Sequence, residues 1–139
     1  MSEIYLLDTD SYTFLAEEDP NVMAHIHTLS AQDQVHISFA TVGEWEYGYY
    51  NTLNPQTRSK IRAIGDKAFD FLTSVIQSSQ DINMIYGQIR ADLRRAGTMI
   101  PLNDVWIAAT ALAIGATLVT HDGHFKHVAN LAVVDWTVP

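Results

Sequence analysis

The stretch Ile100–Phe125 (IPLNDVWIAATALAIGATLVTHDGHF) narrows the possible folds more than any other part of the chain. Asn103 is suited to cap a helix, Asp104 falls in its first turn, and Val105–Ile114 is apolar on nearly every face. A helix that is apolar all round belongs in a core, not on a surface. Gly115 follows where a left-handed residue usually ends a helix. Thr117–Thr120 is short, β-branched and apolar, and reads as a buried strand. Asp104 thus opens a core helix, and Asp122 stands just past a core strand. In α/β proteins such edges carry the chemistry.

The remaining chain repeats the alternation. Ile4–Leu7 is a continuous apolar run ending at Asp8, as in a parallel strand covered on both faces. Thr9–Leu15 reads as a short helix, and Asp19-Pro20 as the cap and first residue of a second. Val35–Ser38 is the next strand. Thr41 then opens a helix burying Val42, Trp45, Tyr49 and Leu53, which Asn54-Pro55 breaks. Thr57 to about Ile76 keeps a helical period, with a brief strand at Val75-Ile76. Asp81 caps an amphipathic helix that Gly97 closes. Ala132–Asp135 is the last strand. The pattern predicts one α/β domain over residues 1–139, with a central parallel sheet of four or five strands and helices on both faces.

Composition excludes several classes. The chain is 47% apolar and 17% charged, which is globular and not disordered. No apolar run reaches the ~18 residues of a membrane helix. Met1-Ser2-Glu3 is acidic and leads directly into a strand, unlike a signal peptide, so a cytoplasmic protein is expected. With no cysteine, disulfides and thiolate zinc sites are out. The net charge of −8 opposes electrostatic binding of nucleic acid unless cations reverse the sign locally.

Four carboxylates can meet at one sheet edge. Asp8 and Asp122 follow strands, Asp104 begins the helix leading to the second of these, and Glu44 lies early in the helix after Val35–Ser38. Close carboxylates repel and resist ionisation. A hard divalent cation relieves this, and Mg²⁺ uses one or two direct carboxylates with water and phosphate. Such ions support phosphodiester hydrolysis. Each acid also has an ordinary reading. Asp104 suits a helix dipole, Glu44 completes a Thr41-x-x-Glu44 capping box, Asp8 and Asp122 suit turns or caps, and Asp10 suits a helix cap. The set is stronger than its members.

Tyr5–Leu15 (YLLDTDSYTFL), Ile37–Gly48 (ISFATVGEWEYG), Pro101–Phe125 and the closing VVDW resemble a PIN-domain ribonuclease, specifically a VapC-type toxin of a bacterial toxin–antitoxin pair. The resemblance spans almost the whole chain. It implies a PIN-like fold and an Mg²⁺- or Mn²⁺-dependent endoribonuclease, with Asp8, Glu44, Asp104 and Asp122 as the acidic set and Thr120 as the hydroxyl beside the last acid. It further implies structured RNA such as tRNA or rRNA as substrate, a small antitoxin as partner, and a homodimer. Asp10 departs from the pattern, where the family often has a neutral residue, and the role of His121 stays open.

Other signals carry less. Asp8-Thr9-Asp10 also resembles the nucleophile motif of haloacid-dehalogenase phosphatases, but Tyr12 stands where that family wants Thr, and Gly97–Asp122 has no lysine. A PIN-fold module without chemistry is a further alternative. His121, His124 and His127 do not converge as zinc ligands on a helix. Arg90, Arg94 and Arg95 form a basic patch for RNA or antitoxin, with Asp92 as a local partner, and His124 can meet phosphate. Trp45, Tyr47, Tyr49 and Tyr50 crowd one helix and suit a protein interface.

Overall fold

The computed structural model describes residues 2–139. Five short strands form one parallel sheet: β1 (Ile4–Leu7), β2 (Gln34–Ser38), β3 (Ser74–Ile76), β4 (Thr117–Val119) and β5 (Val133–Val134), in the order β3-β2-β1-β4-β5. Six helices connect them: α1 (Thr9–Ala16), α2 (Pro20–His27), α3 (Phe39–Asn51), α4 (Pro55–Phe69), α5 (Gln80–Ala96) and α6 (Leu102–Ile114). A 3₁₀ turn, Gly123–His127, joins β4 to β5.

Strand alternation divides the core in two. Leu6 and Leu118 face one side, where α5 and α6 supply Ile82, Ile89, Leu93, Val105, Ile107 and Ala108. Leu7, Val35, Ile37 and Val119 face the other, against Tyr12, Leu15, Val22 and Ala68. Helices therefore cover both faces, as the apolar runs of β1 and β4 require. The chain moves from β1 outward through β2 and β3, then returns to place β4 on the other side of β1. Strand order reverses between β1 and β4, the position where open parallel sheets leave a crevice at their carboxyl ends.

Several helix boundaries differ from the sequence reading. α3 begins at Phe39, capped by the Ser38 hydroxyl, which accepts from the Ala40 and Thr41 amides. Thr41 is inside the helix and fully buried, so no capping box engages Glu44. Pro101 occupies the cap position of α6 with no side-chain hydrogen bond, and Asn103 is a helical residue. Ser79, not Asp81, caps α5. Asn54 and Pro55 start α4 after α3 has ended at Asn51, and Leu53 is 87% exposed. α4 stops at Phe69, leaving Leu72 in a connection and Val75 in β3. Gly97 (φ 71°) and Gly115 (φ 67°) take the expected left-handed positions. No helix among the described residues is long and apolar enough to cross a membrane.

Candidate functional site

Asp8 is placed by β1 and held by α1. Its amide donates to the Val119 carbonyl at 3.0 Å, extending the pairing of β1 with β4 by one residue. Its Oδ1 accepts the Ser11 amide at 2.8 Å, so Asp8 caps α1 and Asp10 does not. Only 2% of Asp8 is exposed. Burial pushes its carboxyl above the usual aspartate range. The Thr120 hydroxyl and the Ser11 amide and hydroxyl pull it back, and Asp10 adds a smaller upward push. A cap does not require such burial, so capping accounts for only part of Asp8.

Thr120 links the two strand ends. It is buried, faces Asp8, and its Oγ1 accepts the Asp122 amide at 3.0 Å. Asp122 precedes the 3₁₀ turn without capping it through its side chain. Asp104, in the first turn of α6, is half-buried, with Oδ2 2.9 Å from Nε2 of His124. Burial raises its carboxyl most; His124 lowers it by charge and hydrogen bonding, while Asp8 and Asp122 raise it. The mutual influence of these acids is what a shared site produces.

Glu44 reaches the same place from α3, where the Asn103 amide donates to its Oε1. Asp8, Asp10, Glu44, Asp104 and Asp122 line one hollow of about 230 Å³, together with Asn103. It opens at the strand-order reversal. All four expected acids are brought together there, and Asp10 joins them from an exposed position. A second pocket between α3 and α4, lined by Tyr12, Trp45, Tyr49 and Phe69, is more apolar, and its Glu46 is tied to Arg62 at 2.6 Å.

The basic patch is elsewhere. Arg90, Arg94 and Arg95 are exposed on α5 and do not line the hollow; Arg90 donates to Tyr86, and Arg95 pairs with Asp92 at 3.5 Å. His121 packs against Phe14, with ring centres 5.3 Å apart. His124, which the sequence allows to meet phosphate, has its ring between Asp104 and Asp122, with Nδ1 3.6 Å from Oδ1 of Asp122. The roles of His124 and Asn103 were not legible, since both depend on which elements face each other. The one local signal is His124 standing directly before Phe125, an apolar peg in a polar turn.

The donor set is entirely carboxylate oxygen, which suits a hard divalent cation. Among the described residues, however, no three of these groups already close around one point as an ion would need. The fit is to a hydrated ion with one or two direct carboxylates and the others acting through water.

Residues 5–131 match the family model described as PIN domain. This chain belongs to the PIN-domain family. Its PIN fold is shared with the solved VapBC2 complex from Rickettsia felis bound to a promoter DNA fragment. The TM-score is 0.87 at 27% identity, covering 96% of this chain and 98% of that one. Ribonuclease VapC1 of Haemophilus influenzae is 32% identical over 139 residues, covering 96% of this chain and 98% of the relative. The tRNA(fMet)-specific endonuclease VapC of Salmonella typhimurium is 26% identical over 133 residues, covering 95% and 97%. VapC-type proteins are thus the branch of PIN domains this chain is similar to. The phosphatase alternative gains nothing from these matches.

Proposed function

We propose that this PIN domain is a metal-dependent endoribonuclease of the VapC toxin type, acting in the cytoplasm and neutralised by a cognate antitoxin. The observation that carries the reading is the convergence of Asp8, Glu44, Asp104 and Asp122 on one hollow at the strand-order reversal. In that reading Asp8 and Asp104 are the direct metal ligands, and Asp122 and Glu44 act alongside them. Mg²⁺ or Mn²⁺ bound there would supply a more acidic water and offset the charge on a phosphodiester. The chain's own part is to hold its carboxylates fixed. The Asp8 carboxylate is oriented by the Ser11 amide and that of Glu44 by Asn103, while the Thr120 hydroxyl accepts the Asp122 backbone amide.

A structured RNA such as tRNA or rRNA is the proposed substrate, supported by the named specificity of the Salmonella relative. An antitoxin partner is supported by the likeness to a solved VapBC complex. A homodimer is supported by the exposed aromatic surface of α3, where Tyr47 and Tyr50 are each 65% exposed. Arg90, Arg94 and Arg95 remain available for RNA or antitoxin contacts away from the hollow.

The test is incubation with total tRNA in Mg²⁺ or Mn²⁺, with EDTA and Asp104→Asn as controls. Cleavage should require the ion and fall at least ~100-fold in the variant, the scale of losing an electrostatic element of a site. Cleavage that survives both controls, or no cleavage of any RNA, sinks the nuclease reading and leaves a PIN fold used for interaction alone. In cells, expression without antitoxin should arrest growth, and Asp104→Asn should relieve the arrest.

A further inference from the structure

We propose that His124 is a positioning residue: its imidazole holds Asp104 through Oδ2 and leaves Oδ1 of that carboxylate for a divalent cation in the hollow. The inference rests on the metal-dependent reading above and deepens it by adding a residue outside the acidic set.

Three elements meet at this ring. Asp104 comes from α6, Asp122 from the end of β4, and His124 from the 3₁₀ turn. Nε2 is 2.9 Å from Oδ2 of Asp104, and Nδ1 is 3.6 Å from Oδ1 of Asp122. The first is a hydrogen bond, and it uses one carboxylate oxygen while leaving Oδ1 of Asp104 for another partner. The second is too long for a hydrogen bond, so the ring grips Asp104 and only abuts Asp122.

The mount is rigid. Phe125, the next residue, is 1% exposed and belongs to the core that holds α6. The imidazole packs on the Phe125 ring, with centres 4.8 Å apart. A core aromatic therefore fixes the backbone from which His124 reaches back to the acids. Among the described residues, the Asp104 side chain makes no other hydrogen bond. Groups that orient metal ligands in this way typically change metal affinity by about 10- to 100-fold when removed.

The full-length chain should be titrated with Mn²⁺ alone, reading free ion by electron paramagnetic resonance, for the wild type, His124→Ala, His124→Gln and His124→Asn. A Gln amide nitrogen reaches the Nε2 position, whereas an Asn amide stops short of it. His124→Ala and His124→Asn should bind Mn²⁺ about 10- to 100-fold more weakly, and His124→Gln should recover most of the affinity. Thermal melts in EDTA identify any variant that fails to fold; if Ala does, the Gln–Asn pair carries the comparison. Unchanged or tighter binding in Ala and Asn overturns the inference alone. No Mn²⁺ binding by the wild type overturns the metal reading, and the inference with it.

Discussion

The buried or half-buried carboxylates Asp8 and Asp104 cost the metal-free protein stability, because each is held above its ordinary pKa chiefly by burial. For Asp104 the folded chain binds its proton more tightly than the unfolded chain does. Below the ordinary aspartate value of about 3.9 both states are protonated and the penalty is absent. As pH rises from there through the raised folded value, stability falls, and the loss persists at neutral pH. Asp104→Asn removes that loss while keeping the side chain's shape. In EDTA, its melting temperature should exceed wild type at pH 7, with the gap closing as pH falls below the ordinary aspartate range. A variant that melts lower than wild type at pH 7 would mean that the hydrogen bond with His124 outweighs the burial cost. Stability and cleavage should thus move in opposite directions at one residue, which separates a ligand from a simple helix-dipole acid.

Among the elements, what was legible in the sequence was what burial dictates. The apolar runs of β1 and β4, the core helix α6 and its closing Gly115 stand as expected. The caps read at Thr41 and Asn103 were misplaced because a polar side chain can serve tertiary partners instead of its own helix. Thr41 turns inward to meet the Thr9 hydroxyl at 3.1 Å, and Asn103 reaches Glu44 on another helix. α4 is also shorter than its apolar period suggested, since Leu72 and Val75 keep the spacing while the backbone has already turned toward β3. The packing of α3 on α4 exposes a constraint that no period reveals. Gly65 lies so close to Trp45 that an added Cβ would stand 2.9 Å from its ring. Tyr12 also donates to the Gly65 carbonyl at 2.9 Å and packs edge-on against Trp45. The ring has little room to yield. Gly65→Ala should therefore destabilise the protein by about 1–3 kcal/mol, the usual cost of overpacking, despite the better helix propensity of Ala. Urea denaturation measures this directly, and a neutral or stabilising result would mean that Trp45 can shift without loss.

At the scale of the whole molecule, strands alternating with helices implied a parallel sheet, but strand order depends on long-range pairing that no local pattern records. That order puts Asp8 and Asp122 side by side. It also concentrates charge: five of the carboxylates in a chain of net charge −8 line one hollow. Among the described residues, no lysine or arginine lines that hollow, and three of the cations are engaged elsewhere. Arg58 is engaged with the Tyr49, Tyr50 and Thr52 carbonyls, Arg62 with Glu46, and Lys67 with Glu18. A polyanion approaching the metal-free hollow therefore meets repulsion, and the magnitude decides whether binding survives. Two like charges ~4 Å apart repel by about 1 kcal/mol in water and about 4 kcal/mol at an effective dielectric constant of ~20. Neutralising two carboxylates at the hollow should consequently strengthen RNA binding by at least about tenfold, since each 1.4 kcal/mol is tenfold in affinity. The comparison is made in EDTA, where no ion confuses the charge balance and the proposed function predicts no RNA cleavage. Filter binding of tRNA to Asp8→Asn/Asp104→Asn against wild type, repeated at rising salt, should give tighter binding for the variant and a gap that narrows with screening. Equal affinities at low salt would place the RNA path away from these acids and count against the hollow as the site where the phosphodiester is cut.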